Sequence, residues 1–216
     1  MNSARSSQPQ SWNKYSYTRG NPLKFLDPDG RTVVGFTGFL NKTGGITEAI
    51  STLQRFEHVV GPARVFRHQD SLKGAAFLVA NEDRAGLNAV IGHSLGAGAA
   101  LLTARRLGKI GTGIDLLATV DPAPNFGNES VPPNVRLALN FHQPRGLGGT
   151  QLVAEDPSKT RVLNIELRGV SHTGIDDFVA ASIVAEILNL AAEMGKEFEL
   201  REGLQFVQGE LIFVAK

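Results

Sequence analysis

A chain of 216 residues that is 42% hydrophobic and 20% charged has the size and composition of one globular domain, too apolar for disorder and too polar for a bundle of membrane spans. With 22 Lys and Arg against 21 Asp and Glu, the net charge of +1 supplies no field for drawing in a nucleic acid and argues against such a partner. The absence of cysteine excludes disulfides, thiolate metal sites and thiol nucleophiles.

Residues 1–13, rich in Ser, Gln and Asn, hold too few apolar side chains to offset the entropy of ordering and read as a mobile tail. The polar stretch Met1 to Tyr17 lacks the apolar core of a signal peptide, and no apolar run reaches the ~18 residues of a membrane span. The expectation is a chain without a transmembrane segment, cytoplasmic as synthesised. From Tyr15 aromatic and polar residues alternate up to the turn signal Pro28-Asp29-Gly30, a strand-and-turn segment.

From Arg31 short β-branched runs alternate with helical stretches, the pattern of an α/β domain with a mostly parallel central sheet and helices on both faces. Strands are predicted at about 32–36, 63–67, 88–92, 116–120, 135–141 and 162–167, and helices at 46–56, 95–107 and 176–194, the last with apolar residues three and four apart. Residues 71–84 form a further helix candidate, weakened by Gly74. The Pro- and Gly-rich stretches 125–134 and 143–159 read as loops, and 199–215 as an added hairpin. No repeat of a solenoid or propeller is present. The organisation is thus a tail and junction over residues 1–30 and a catalytic domain over 31–216.

The chemistry is concentrated in Asn88-Ala-Val-Ile-Gly-His-Ser-Leu-Gly-Ala-Gly98, an apolar strand that runs through Gly-x-Ser-x-Gly into a helix of small residues. Such an elbow holds its serine, Ser94, in a strained turn at the carboxyl end of the strand, and glycine at 92 and 96 lets strand and helix cross. The alternative is a serine that merely caps a helix. The N–H of Leu95 opens that helix and is an expected donor to an oxyanion.

A serine hydroxyl needs a base, and the base needs a carboxylate to fix its tautomer. In the chain order Ser, acid, His, the histidines after Ser94 are His142 and His172. His172, in Gly169-Val-Ser-His-Thr-Gly174 between the last strand and the long helix, is the expected base; His142 reads as a pocket-lining or surface residue. His93 sits in the elbow and helps shape the substrate site. Asp121, directly after the apolar run Leu116 to Val120, is the expected acid, with Asp156 its rival; Asp115 stands at the wrong end of its strand. Asp176 and Asp177 read as charges favouring a helix N-terminus.

The second oxyanion donor is expected from Thr37-Gly38-Phe39, after the first strand, with Phe39 as donor and Thr37 and Gly38 near the substrate. Phe36, Phe39, Phe126, Phe141 and Leu147 are candidates for an apolar acyl pocket, against the simpler reading that they are core. No cofactor and no metal is required by this chemistry.

Gly-His-Ser-Leu-Gly, Val-Asp-Pro-Ala and the late Ser-His-Thr together resemble the lipase and phospholipase branch of the α/β-hydrolases, over about Arg31 to Met194. The resemblance implies a serine esterase acting on an acyl ester or lipid, with the acid in the Asp-Pro-Ala setting, which favours Asp121. The oxyanion loop reads Thr37-Gly38-Phe39 where the branch has His-Gly-Phe, and a long apolar lid is not identifiable, which leaves esterase and phospholipase level with lipase. Acyl transfer or thioester cleavage by the same triad, and a non-catalytic binding domain, are the alternatives.

Residues 15–30, with Tyr15-Ser-Tyr17, Asn21-Pro-Leu23 and Asp27-Pro-Asp-Gly30, look like the end of the Rhs repeat-associated core of bacterial polymorphic toxins. That resemblance implies a C-terminal effector of a larger protein delivered to another cell, with the parent Rhs shell and a cognate immunity protein as partners.

Overall fold

The computed structural model describes residues 32–39, 44–81, 87–123, 129–144 and 150–193, and the backbone of 204–207 and 210–213. The junction at 15–30, Phe126 and Leu147 lie outside the described residues. In chain order the elements begin with β1 (Thr32–Thr37), α1 (Gly45–Gln54), α2 (Glu57–Val60), β2 (Ala63–Arg67), α3 (Ser71–Ala80), β3 (Asn88–His93) and α4 (Leu95–Gly108). They continue with β4 (Ile114–Val120), β5 (Ser130–Val131), β6 (Val135–His142), β7 (Val153–Ala154), β8 (Arg161–Glu166), α5 (Ile175–Glu193), β9 (Leu204–Val207) and β10 (Glu210–Phe213).

Six strands form one sheet in the order β2-β1-β3-β4-β6-β8, and every pairing in it is parallel. Parallel strands buried on both faces have no polar side to show, which is why Ala89-Val90-Ile91 and Leu116-Leu117-Ala118 are unbroken apolar runs. One face carries α1, α2 and α5 over Val33, Ile91, Leu116 and Val120; the other carries α3 and α4 over Val34, Phe36, Val90 and Leu117. On α1 the buried residues Ile46, Ala49, Ile50 and Leu53 recur at three and four positions, one stripe of a helix laid on the sheet.

The sheet puts all its carboxyl ends on one edge, and the closest backbone approach lies there. A Cβ on Gly92 would stand 2.2 Å from the carbonyl oxygen of Gly96, and one on Gly96 would stand 2.2 Å from that of Phe36. The helix α4 therefore crosses β3 and β1 with no side chain between them, a contact that only glycine permits at these two positions.

Some segments depart from their sequence reading. The helix expected over 46–56 breaks at Arg55 and Phe56 into α1 and α2, and α3 stops at Ala80, where the side-chain amide of Asn81 donates to the carbonyl of Phe77 at 2.7 Å. The two loops at 125–134 and 143–159 contribute β5 and β7, which pair in parallel, Ser130 with Val153 and Val131 with Ala154. Two-residue strands carry no periodicity of their own and exist through this pairing. The segment before β7 is pinned by a polar ladder across register partners: Thr119 donates to Asn140 at 2.8 Å, and the Asn140 amide donates to Asn164 and to the carbonyl of Thr150, each at 2.8 Å. Asn164 and Leu152 then exchange two bonds of 2.9 Å. β9 and β10 form an antiparallel pair, as the hairpin reading of 199–215 expected.

Gly96→Ala is expected to lower stability by about 1–3 kcal/mol or more, because the methyl group meets backbone that has no rotamer to change. Urea unfolding should show a lower midpoint with an unchanged slope.

Candidate active site

Ser94 occupies the corner between β3 and α4 with φ 55° and ψ −119°, a left-handed conformation that costs a non-glycine residue on the order of 1–3 kcal/mol. Its N–H donates to the carbonyl of Val120 at 2.9 Å, so the ladder to β4 continues through the corner. On the neighbouring strand, Asp121 also has positive φ, at 44°, and its N–H donates to Phe141 at 2.7 Å. His93 of β3 and Val120 of β4 are register partners, so Ser94 and Asp121 leave the sheet side by side.

His172 reaches this edge from the loop between β8 and α5. Its Nδ1 lies 2.5 Å from Asp121 Oδ2 and its Nε2 lies 3.0 Å from Ser94 Oγ. A carboxylate only accepts, so the ring proton belongs on Nδ1, and Nε2 is left as the acceptor for the serine hydroxyl. Asp121 is fully buried and is held in turn by Gln143, whose side-chain amide donates to Oδ2 at 2.7 Å and whose backbone N–H donates to Oδ1 at 3.3 Å. The structure thus brings three residues of distant sequence position, 51 and 78 apart, into one hydrogen-bonded line.

Leu95 is the first residue of α4, and its N–H has no partner inside the helix; it opens the positive end of a 14-residue helix beside Ser94. The loop after β1 lies against the serine: a Cβ on Gly38 would stand 3.2 Å from Ser94 Cβ. Phe39 follows it with its side chain 67% exposed. Thr37 is buried, with its hydroxyl 3.5 Å from the carbonyl of Phe66, so its side chain faces β2 rather than a substrate. Phe36 and Phe141 are core: Phe36 packs against Phe66 in a tilted pair with ring centroids 6.1 Å apart, and Phe141 joins the cluster beneath α5. Asp156 is half-buried and turned to Ser158 and Lys159, and the Ser158 hydroxyl bonded to it holds its carboxyl below the usual range. Asp115, at the opposite end of β4, accepts from the N–H of Asn88. His142 is buried at the end of β6, with Nδ1 3.3 Å from the carbonyl of Gln143.

His93 differs from its sequence reading. Both ring nitrogens face protein rather than a substrate: Nε2 is 2.8 Å from the carbonyl oxygen of His172, and Nδ1 is 3.6 Å from Asp176 Oδ2. Asp176 stands in the first turn of α5, as its reading as a helix-start charge expected, and is in addition buried beside His93. Gln143 carried no signal as a single letter. Gln143 could have been found only from strand order, because it follows β6, whose Phe141 is paired with Val120.

A strand-turn-helix elbow in a parallel sheet, with an acid after the next strand and a histidine in a later loop, is the arrangement of the α/β-hydrolase fold, and this chain has that fold. Solved structures to which it is similar include Est1E from Butyrivibrio proteoclasticus, at 13% identity over 79% of this chain and 90% of that one with a TM-score of 0.45. Others are the NocB thioesterase domain from the Nocardicin cluster, at 12% over 78% and 97% with a TM-score of 0.43, and a hyperthermophilic esterase from the archaeon Pyrobaculum calidifontis, at 16% over 76% and 76% with a TM-score of 0.42. No family model and no curated protein matches the chain.

Burial holds His93 below the ordinary histidine value of 6.5, against the opposing pull of Asp176. The unfolded chain therefore binds a proton more readily at this position than the folded one, so this residue's contribution to stability is complete above pH 6.5 and is lost as pH falls through and below it. His93→Gln should show a shallower loss of stability than the wild type between pH 6.5 and the lower folded-state value, read from urea midpoints across that range.

Proposed function

We propose that this protein is a serine hydrolase of carboxylic esters, acting on lipid or small acyl esters through Ser94, His172 and Asp121. The observation that carries the reading is the unbroken line from Asp121 Oδ2 through His172 to Ser94 Oγ, with separations of 2.5 and 3.0 Å, at the strained corner of the elbow. In this reading Ser94 Oγ attacks the ester carbonyl while His172 Nε2 takes its proton, and the buried carboxylate of Asp121 stabilises the imidazolium that forms. The tetrahedral oxyanion is met by the N–H of Leu95 at the positive end of α4, with Gly38 and Phe39 alongside. His172 then returns its proton to the leaving alcohol, and the acyl group stays on Ser94. A water deprotonated by His172 attacks the acyl-enzyme, and the acid leaves with Ser94 restored.

An apolar acyl group is supported by Phe39, which follows the Gly38 that lies against Ser94 and is 67% exposed. The resemblance of residues 15–30 to the end of an Rhs core supports a place as the effector of a larger delivered protein, with membrane lipid of a recipient cell as the target.

Hydrolysis of aryl esters of graded chain length and of a phospholipid by wild type and by Ser94→Ala tests this reading. Wild-type turnover that falls by at least about 10³-fold in the variant, with loss of fluorophosphonate labelling, is the expected outcome. Equal rates in both proteins, or an unlabelled wild type, would overturn it. Asp121→Asn should reduce kcat by on the order of 10³- to 10⁴-fold, because an amide facing Nδ1 favours the wrong ring tautomer.

A further inference from the structure

Resting on the reading of Ser94 as nucleophile and His172 as base, we propose that His93 is a positioning residue: its Nε2–H holds the carbonyl of His172 and sets the distance from His172 Nε2 to Ser94 Oγ. His93 is the residue immediately before Ser94, so this bond of 2.8 Å ties the loop that carries the base directly to the strand that carries the nucleophile. Among the described residues, the other hydrogen bonds to the backbone of 168–174 stay within that turn and the first turn of α5, such as Gly174 and Ile175 to the carbonyl of Ser171. The ring of His172 is bound to Asp121 and Ser94, but its backbone is bound to the sheet through His93.

The protonation state fits this task. A carbonyl oxygen accepts only, so His93 carries a proton on Nε2. Burial favours its neutral form, and a neutral imidazole has no second proton, which agrees with the 3.6 Å between Nδ1 and Asp176, too long for a hydrogen bond. The two histidine rings are 5.0 Å apart between centroids, and a neutral His93 adds no like charge opposing the imidazolium that forms on His172 during acylation. Asp176 bounds the other side of the ring and is itself confined by the start of α1. A Cβ on Gly44 would stand 2.5 Å from Asp176 Oδ2, and one on Gly45 would stand 1.9 Å from its carbonyl oxygen. The ring of His93 is thus enclosed by β3, the base loop and the first turn of α5, with its one proton directed at one acceptor.

Gln and Met at position 93 have similar length, and only Gln supplies an N–H for the carbonyl. With an aryl ester as substrate, His93→Met is expected to lose about 10- to 100-fold in kcat with KM within about twofold of wild type, as displacement of a reacting group by about an ångström would cause. His93→Gln is expected to recover kcat to within about fivefold of wild type. Recovery of fold by Gln where Met fails to fold would support the same tie. A folded Met variant with wild-type kcat, a Gln variant that falls as far as Met or does not fold, or a loss confined to KM would each overturn the proposal. Fluorophosphonate labelling of Ser94 in the wild type separates the two claims. An unlabelled wild type sinks the hydrolase reading and the proposal with it, whereas a labelled wild type with a flat His93 series sinks the proposal alone.

Discussion

Three stretches of backbone meet around Gly92 and Gly96, and the rest of the site is arranged from that contact. The carbonyl oxygens of Gly96 and Phe36 lie where a side chain at either glycine would begin, so α4 rests directly on β3 and β1. Such a crossing requires the chain to turn within one residue, and that residue, Ser94, takes a positive φ of 55°. The strain is held by the packing beneath it: Ala97, Ala100 and Ala104 of α4 are fully buried, with Ala100 and Ala104 set against Val34, Val90 and Leu117. A well-packed interface of this kind has little room to relax, which is how an unfavourable backbone conformation persists in a folded protein.

A parallel sheet collects the ends of all its strands on one edge, and the polar residues of the site are distributed over that edge. Ser94 follows β3, Asp121 follows β4 and Gln143 follows β6, three consecutive strands of the sheet. His172 comes from beyond β8 and returns over the edge, guided at its base by the bond from Leu167 to the carbonyl of His142. Each hydrogen bond in this group contributes on the order of 1 kcal/mol to stability, so their value lies less in energy than in direction. Asp121, fixed by Gln143 and by its own backbone, can present Oδ2 to His172 at only one place, and His172 is then bounded by Asp121, Ser94 and His93.

The central strands β1, β3 and β4 were legible because a strand buried on both faces is apolar almost throughout, whereas the edge strands β2 and β8 showed only as short β-branched runs; α4 and α5 were legible from small-residue and three-four patterns. Where a feature arises from pairing alone, the letters were silent. β5 and β7 have two residues each and exist because they lie beside one another. Phe36 and Phe141 lie at the carboxyl ends of strands that lead to the site and so invited a pocket reading, yet alternation along each strand turns them into the core. Asp176 illustrates the same limit: a carboxylate in the first turn of a helix is usually solvated, and only the packing of α1 against α5 buries it beside His93.

By itself the sequence determined that the chain alternates strand and helix, that a serine stands in a glycine-flanked elbow, and that an aspartate and a histidine follow it in order. These are properties of local spacing, which acts through periodicity and backbone sterics. Only the tertiary structure decided strand order, and with it that Asp121 rather than Asp156 lies beside His172, that Gln143 bonds to Asp121, and that His93 faces the carbonyl of His172. The physical reason is that a hydrogen bond depends on atoms within about 3 Å and in line, and residues 22 to 79 apart in the chain acquire that relation only when the sheet is assembled.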